Sequence, residues 1–416
     1  MNDDWPLVRV DELLEASIGG VWGSDPGESD VDVTVFRSTD FNADGHLSLE
    51  KGARRSVTTS QLASRQMRHG DVLLEKSGGG PNQPVGRVAY VEGAVPEPSV
   101  CANFIQFLRP DTNRVVCKYL FYALWADHSN NVTLQYQAQT TGIRNLRTKD
   151  YLARQIAVPP LPVQRRIVDL MAHLDNQIAN LRTERDAAGT LLVSARDELL
   201  QTGSDWTSTR LSGVTTKIGS GATPRGGESA YRAEGVSLIR SQNVYDLRFE
   251  WDGLAHIGPE QARLLDNVTV EQGDVLLNIT GASVNRCCIV PDVALPARVN
   301  QHVAIIRSNR SFVVPDFLVH LLRRSDTLAL LNRMAGAGTT RQALTKNQIE
   351  QLDITIPEVS EQQRLAGILT SLNRQVSALQ TEIDALSEAR GAALSSVLSG
   401  QAALSSDYDS LLDGVA

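Results

Sequence analysis

The sequence predicts an α+β protein: two mixed α/β domains separated by a long antiparallel two-helix coiled coil, with pseudo-twofold symmetry. Three observations predict it. The stretch PPLPVQRRIVDLMAHLDNQI from Pro159 returns from Pro357 as PEVSEQQRLAGILTSLNRQV, 198 positions further on. Both stretches carry apolar residues at alternating spacings of four and three, the seam of a coiled coil. Upstream of each, short β-branched runs such as VSLIR, DVLLNIT and HVAIIR are bounded by Gly, Asn and Pro, as strands are.

A period of about 200 residues is far too long for a solenoid unit and indicates duplication of a whole module. It divides the chain into a first domain at 1–158, a first long helix at 159–203, a second domain at 204–356, a second long helix at 357–400 and a tail at 401–416. Inside the domains the copies agree only at spaced anchors. FRSTDF (36–41) answers IRSQNV (239–244), GDVLL recurs at 70–74 and 273–277, NFIQFLRP (103–110) answers QHVAIIRS (301–308), and TGIRNL (141–146) answers GTTRQAL (338–344). Free divergence between anchors suggests one fold carrying two different surfaces. Shorter helices are expected at 117–128 and 315–333.

The seam of the first long helix runs through Ile167, Met171, Leu174, Ile178, Leu181 and Leu192, interrupted by Arg185. That of the second runs through Leu365, Leu369, Leu372, Val376, Leu379 and Ile383, interrupted further on by Arg390. Ser360 with Gln363 reads as a capping box opening the second helix, and Pro162 suits the first turn of the first. Gly203 and Gly400 are stops. Each helix has about 37 residues, or about 55 Å at 1.5 Å per residue. A compact domain of the size of 204–356 has a radius of gyration of about 15 Å and does not carry the chain back along that length. The end of the first helix is therefore expected beside the start of the second, and the pair antiparallel.

The 416-residue chain has a net charge of −8, with the acidity concentrated beyond residue 356. Both domains are left near neutral, which is compatible with a basic face on each. The absence of any run of about 18 apolar residues argues against a membrane partner, and the start MNDDW lacks the basic flank of a secretory signal. A cytoplasmic location is expected. Cys101, Cys117, Cys287 and Cys288 have no metal-ligand spacing and read as reduced core residues, so neither metal nor cofactor is expected. No GxxxxGK[ST] loop, HExxH or GxSxG is present, nor the Asn/Asp-Pro-Pro-aromatic signature of amino-methyltransferases. The expectation is a protein without catalytic residues.

Candidates for nucleic-acid contact are basic residues beside hydroxyls and amides. KGARRSVTTS offers Lys51, Arg54 and Arg55. Arg37 and Arg240 occupy equivalent anchors, together with Ser38, Ser241 and Asn243 of the same phrases, and Arg144 is matched with Arg341. For these recurring arginines a shared salt bridge and a shared contact with phosphates are both open readings. The Gly-rich stretches KSGGGPNQPVGR and KIGSGATPRGG, with Arg87 and Arg225, are either plain loops or backbone cradles for phosphate. Arg286 follows the second GDVLL.

Four phrases carry a resemblance over nearly the whole chain: GDVLLNITGASVNRCCIV (273–290), VNQHVAIIR (299–307), and the helix openings IAVPPLPVQRRIV (156–168) and ITIPEVSEQQRLA (354–366). With the two-copy plan they resemble the specificity subunit of type I restriction-modification enzymes. PVQ at 162–164 departs from the charged residue the family tends to carry before Gln, and PNQPV (81–85) lengthens the loop after the first GDVLL. The resemblance implies that the two domains are target recognition domains, each reading one half of a bipartite site in double-stranded DNA. It also implies that the helix pair sets the spacer and docks two methyltransferase subunits, which recruit restriction and translocase subunits, and that this subunit is not itself an enzyme.

Overall fold

A computed structural model of the chain describes residues 5–402 apart from 43, 80–83, 94, 97, 141–142 and 337–341. Arg341 and the first three residues of PNQPV lie outside the described residues. The chain forms two compact units, Met1–Asn180 with Ile383–Ala416, and Leu181–Glu382.

In the first unit the phrase VLLE becomes a central strand, Val72–Glu75, in an antiparallel sheet ordered Leu14–Gly19, Ile105–Pro110, Val72–Glu75, Val88–Tyr90. All four of its residues are buried because the sheet is covered on both faces. Val72 and Leu74 pack with the helix Cys117–Ser129, while Leu73 joins Phe36, Phe107 and Ala89 on the other side. An unbroken apolar run is the pattern such a strand requires. A second sheet places Val31–Phe36 between Ala53–Val57 and Ser99–Cys101, with its pairing to the latter parallel. A third sheet joins Ser77–Gly79, Ile143–Leu146 and Gln137–Thr140.

The second unit repeats this plan. Val275–Asn278 lies between Val303–Ser308 and Cys287–Ile289, and Thr215–Ser220 completes that sheet. Val275 and Leu277 face one core and Leu276 the other. Val236–Ile239 pairs in parallel with Ala297–Val299, as Val31–Phe36 does with Ser99–Cys101. Both units use a glycine where backbones meet. A Cβ on Gly20 or Gly221 would lie 2.2 or 1.8 Å from the carbonyl oxygen of Cys101 or Val299, so Gly221 of KIGSGATPRGG serves close packing.

The long helices span Leu161–Leu199 and Val359–Leu398. Every residue of the two expected seams is buried or half-buried, including Leu174, Leu181, Leu372 and Val376. Each unit's core takes in helix residues: Ile167, Met171, Leu394 and Val397 in the first, Leu192, Leu365 and Leu369 in the second. The pairing is antiparallel. Arg390 donates to Asp175 at 2.5 Å in the first unit, and Arg185 donates to Gln380 at 2.8 Å in the second. A step of ten forward on one helix is thus ten back on the other. Arg390 is a seam residue whose charge is neutralised across the pair, with its guanidinium 4.3 Å over the Trp125 ring.

Two local expectations are corrected. The helix expected at 315–333 is two helices, Pro315–Leu322 and Ser325–Gly336. The break lets Asp197 accept from the Ser325 N–H at 2.9 Å and lets Arg324 donate to the Leu200 carbonyl, tying the joint to the long helix. The second long helix starts at Val359, with the Gln362 N–H donating to the Glu358 carbonyl, so Ser360 and Gln363 are exposed helical residues and form no cap. The buried glutamine of that turn is Gln362. All four cysteines are free, and burial pushes the Cys101 and Cys287 thiols up to about 12, where they are unreactive. No helix among the described residues is long and apolar enough to cross a membrane.

Candidate nucleic-acid interface

In the first unit the strand Val31–Phe36 ends at Arg37, which opens a 3-10 turn, Ser38–Asp40. Asp40 is 2% exposed and accepts from the Arg37 backbone N–H at 2.8 Å and from its guanidinium at 3.0 and 3.3 Å. The same guanidinium donates to the Lys51 carbonyl at 3.2 Å. Beside it, Arg87 donates to both carboxylate oxygens of Glu75 at 2.8 and 2.9 Å and to the Ser38 carbonyl at 3.1 Å. Arg37, Ser38, Lys51 and Arg87 are therefore brought together. A buried carboxylate is tolerated only when paired, so Asp40 and Glu75 hold these two arginines to the fold, while the Lys51 side chain stays exposed.

The triplet Lys51, Arg54 and Arg55 does not act as one patch. Arg54 and Arg55 are neighbours on the strand Ala53–Val57 and point to opposite faces. Arg54 is exposed, whereas Arg55 pairs with Asp25 and stacks 5.0 Å over the Trp22 ring. Arg144 lies on Ile143–Leu146, opposite Gly79. Leu146 donates its N–H to the Lys76 carbonyl at 2.8 Å, and Leu344 repeats this to Ile279 at 2.8 Å.

In the second unit the turn after Arg240 is held by Asn243, whose Oδ1 accepts from the Arg240 backbone N–H at 3.0 Å. Asn243 is fully buried, and its amide donates to the Glu250 and Asp252 carbonyls at 3.0 and 3.4 Å, so its hydrogen-bonding capacity is spent inside the fold. Arg240 donates to the Gly253 carbonyl at 2.6 Å and stacks 5.1 Å over Tyr231. With an amide where the first unit has Asp40, the salt bridge of Arg37 is not shared by Arg240. Asn278 donates to the Ser241 carbonyl at 2.9 Å, and its own N–H donates to the Arg286 carbonyl at 2.8 Å, which brings Arg286 to the same turn. The Arg286 guanidinium lies 4.7 Å over the Tyr245 ring, and Arg248 lies 5.0 Å over it as well. Arg225 is exposed and tied to Gln261 through its backbone.

The model of the type I restriction modification DNA specificity domain matches residues 2–188 and again 203–388. The chain belongs to this family. It is 20% identical over 421 residues to the putative type I restriction enzyme MjaX specificity subunit of Methanocaldococcus jannaschii, covering 96% of this chain and 94% of that one. The type I restriction enzyme MjaVIII specificity subunit of the same organism is 21% identical over 302 residues, 68% of this chain and 69% of the relative. Among solved structures, the type I restriction-modification system S subunit from M. genitalium has the same fold, with a TM-score of 0.57 at 13% identity over 97% of this chain and 98% of that one. A chain from a study of complex assembly and conformational transition of the type I R-M system also scores 0.57, at 19% identity over 96% and 98%.

The two specificity domains differ at one position of the shared scaffold that decides how an arginine is held. Glu75 and Asn278 both follow GDVLL, and both donate a backbone N–H to an arginine carbonyl, Arg87 or Arg286, at 2.9 and 2.8 Å. In the first specificity domain the acid captures the arginine. In the second the neutral amide binds the turn directly, and Arg286 makes no ion pair among the described residues, resting on Tyr245 instead. The scaffold beneath is conserved between the copies: Arg109 with Asp71 and Arg307 with Asp274 form the same bidentate pair, each with an N···O distance of 2.8 Å. Sequence reasoning missed Tyr231, Tyr245, Arg248 and the exposed Trp251. For Tyr245, Arg248 and Trp251 the signal was available in the aromatic residues around a basic one in VYDLRFEW (244–251), a phrase that does not contain Tyr231.

Proposed function

We propose that this specificity subunit reads a bipartite site in double-stranded DNA, one short word per recognition domain, and that the paired long helices set the spacer. The observation that carries the reading is the repeated turn itself. Two units keep the same buried scaffold while the groups they present around Arg37 and Arg240 differ in charge and aromaticity. Direct readout needs a few side chains at base edges, and one small domain reads only a few base pairs. Lys51 and Arg54 are the exposed basic groups of the first reading surface, beside Arg37 and Arg87, which Asp40 and Glu75 hold in place, and Arg225, Arg240, Arg248 and Arg286 are the basic groups of the second. Two methyltransferase subunits dock on the outward faces of the helix pair and supply the chemistry, and restriction and translocase subunits join through them.

The test is the methylation motif. DNA modified by the complex of this chain with its methyltransferase is sequenced for modified bases. Two short words with an unread gap of fixed length support the reading; a single contiguous word overturns it.

A further inference from the structure

We propose that Gln164 and Gln362 are positioning residues for the spacer, each fixing the direction in which its recognition domain leaves the long helix. The inference rests on the two-word reading and adds the residues that make the distance between words exact to one base pair.

Both side chains are fully buried in the first turn of a long helix. Gln164 Oε1 accepts from the Val116 N–H at 2.7 Å, and its amide donates to the Pro159 carbonyl at 2.8 Å and the Arg114 carbonyl at 3.4 Å. Gln362 makes the same three bonds 198 positions on: from the Val314 N–H at 2.9 Å, and to the Pro357 and Phe312 carbonyls at 2.8 Å each. Val116 and Val314 are the residues that precede the short helices Cys117–Ser129 and Pro315–Leu322. One amide therefore joins the start of the long helix to the start of the helix at the centre of the domain.

This joint has a single geometry. Both amide hydrogens and the carbonyl oxygen are used, so turning the domain about the joint breaks two bonds at once. Each buried group left unpaired keeps the desolvation penalty that its hydrogen bond had offset. An apolar side chain of the same length would fill the space and accept a range of angles. The flanking residues differ between copies, Val163 and Arg165 against Glu361 and Gln363, yet the glutamine is kept in both. The leverage is large. With the domain centre about 15 Å from the joint, a rotation of about 15° moves it by about 4 Å, more than the roughly 3.4 Å rise of one base pair.

The experiment uses the full chain in complex with its methyltransferase and measures binding to synthetic duplexes carrying both words with the native spacer or one base pair more or less. Gln164→Met and Gln362→Met remove all three bonds at constant length, and Gln164→Asn and Gln362→Asn keep the amide one methylene short in case the Met variants fail to fold. The expected result is a loss of about tenfold in discrimination between native and altered spacers, equivalent to about 1.4 kcal/mol, with both words unchanged. A purely structural role lowers the melting temperature and the affinity for all duplexes alike, and an unchanged spacer ratio in the folded variants overturns the inference. A wild-type complex with no spacer preference overturns the two-word reading and this inference together; wild-type preference retained by the variants overturns this inference alone.

Discussion

Arg390 on the second long helix holds Asp175 on the first at 2.5 Å, and Tyr122 donates to the same carboxylate at 2.8 Å. The arginine is 5% exposed, so the pair sits inside the packing. At the positions 198 residues away the other copy has Leu192 and Asn373. One half of the repeat thus builds this layer from charge and the other from an apolar residue and an amide.

That difference defines a first prediction. Arg390→Leu alone leaves the half-buried Asp175 carboxylate with only the Tyr122 hydroxyl as donor and is expected to cost about 1–3 kcal/mol, because the carboxylate loses its cation while still partly shielded from water. Asp175→Asn with Arg390→Leu copies the other half of the repeat and is expected to recover most of the loss. Chemical denaturation of the single and double variants measures it, and equal losses in both would show that the ion pair is not what the layer depends on.

A second prediction separates the seam from the outer face on adjacent residues. Leu192 is 5% exposed and Leu191 is 55% exposed. Leu192→Ala is expected to destabilise by about 2–5 kcal/mol, and Leu191→Ala by under about 0.5 kcal/mol. If the outer face docks methyltransferase, the Leu191 variant instead weakens assembly at unchanged stability, which co-purification with the methyltransferase reads directly.

The heptad pattern was legible because burial along a two-helix seam repeats with the helix period, and the apolar run GDVLL was legible as a strand covered on both faces. The turn after Arg37 was not legible. Whether an arginine faces DNA or an acid depends on residues far away in sequence, such as Glu75 for Arg87 and Asp25 for Arg55. The buried amide of Gln362 was hidden for another reason: beside Gln363, only the helix phase decides which of two glutamines turns inward.

A third prediction concerns pH. His320 stands where the first unit has Tyr122, is 2% exposed, and is pushed down to about 3 by burial and by the neighbouring Arg196 guanidinium. Its folded pKa is below the unfolded value of about 6.5, so the unfolded chain binds the proton first. The stability is fully present above pH 6.5 and is lost as pH falls from there toward 3, by about 2 kcal/mol at pH 5. His320→Gln is expected to flatten this dependence in melts between pH 7.5 and 5, and an unaltered slope would assign the acid sensitivity to other groups.

A fourth prediction ranks the basic residues by their partners. Arg286 rests on Tyr245 and has no ion pair among the described residues, whereas Arg55 is paired with Asp25. Arg286→Ala is expected to weaken DNA binding by the complex and to lower its salt slope by about 0.9 if one phosphate contact is lost. Arg55→Ala is expected to leave that slope unchanged and to lower stability. Asn243→Ala should behave like Arg55→Ala, since its amide is spent on the turn. The measurement is affinity against salt concentration, and an unchanged slope for Arg286→Ala would remove it from the interface.

The last prediction tests the helices as a ruler. Asp175 lies against Arg390 in the first unit and Arg185 against Gln380 in the second, so within the second unit residues 183–189 face 376–382 in the antiparallel register. Deleting both heptads removes the Arg185–Gln380 layer whole, keeps Asp175 with Arg390, and preserves the phase of each seam. Seven residues at 1.5 Å shorten the pair by about 10.5 Å, or about three base pairs at about 3.4 Å each. Three base pairs also turn the duplex by about 100° at about 10.5 pairs per turn, so both domains reach their words only if DNA twists or bends. The expected outcome is weaker binding, the same two words, and a preferred spacer about three base pairs shorter. The methylation motif of a complex built with the shortened chain measures it. Retention of the original spacer at full activity would mean that the distance between the words is set outside these helices.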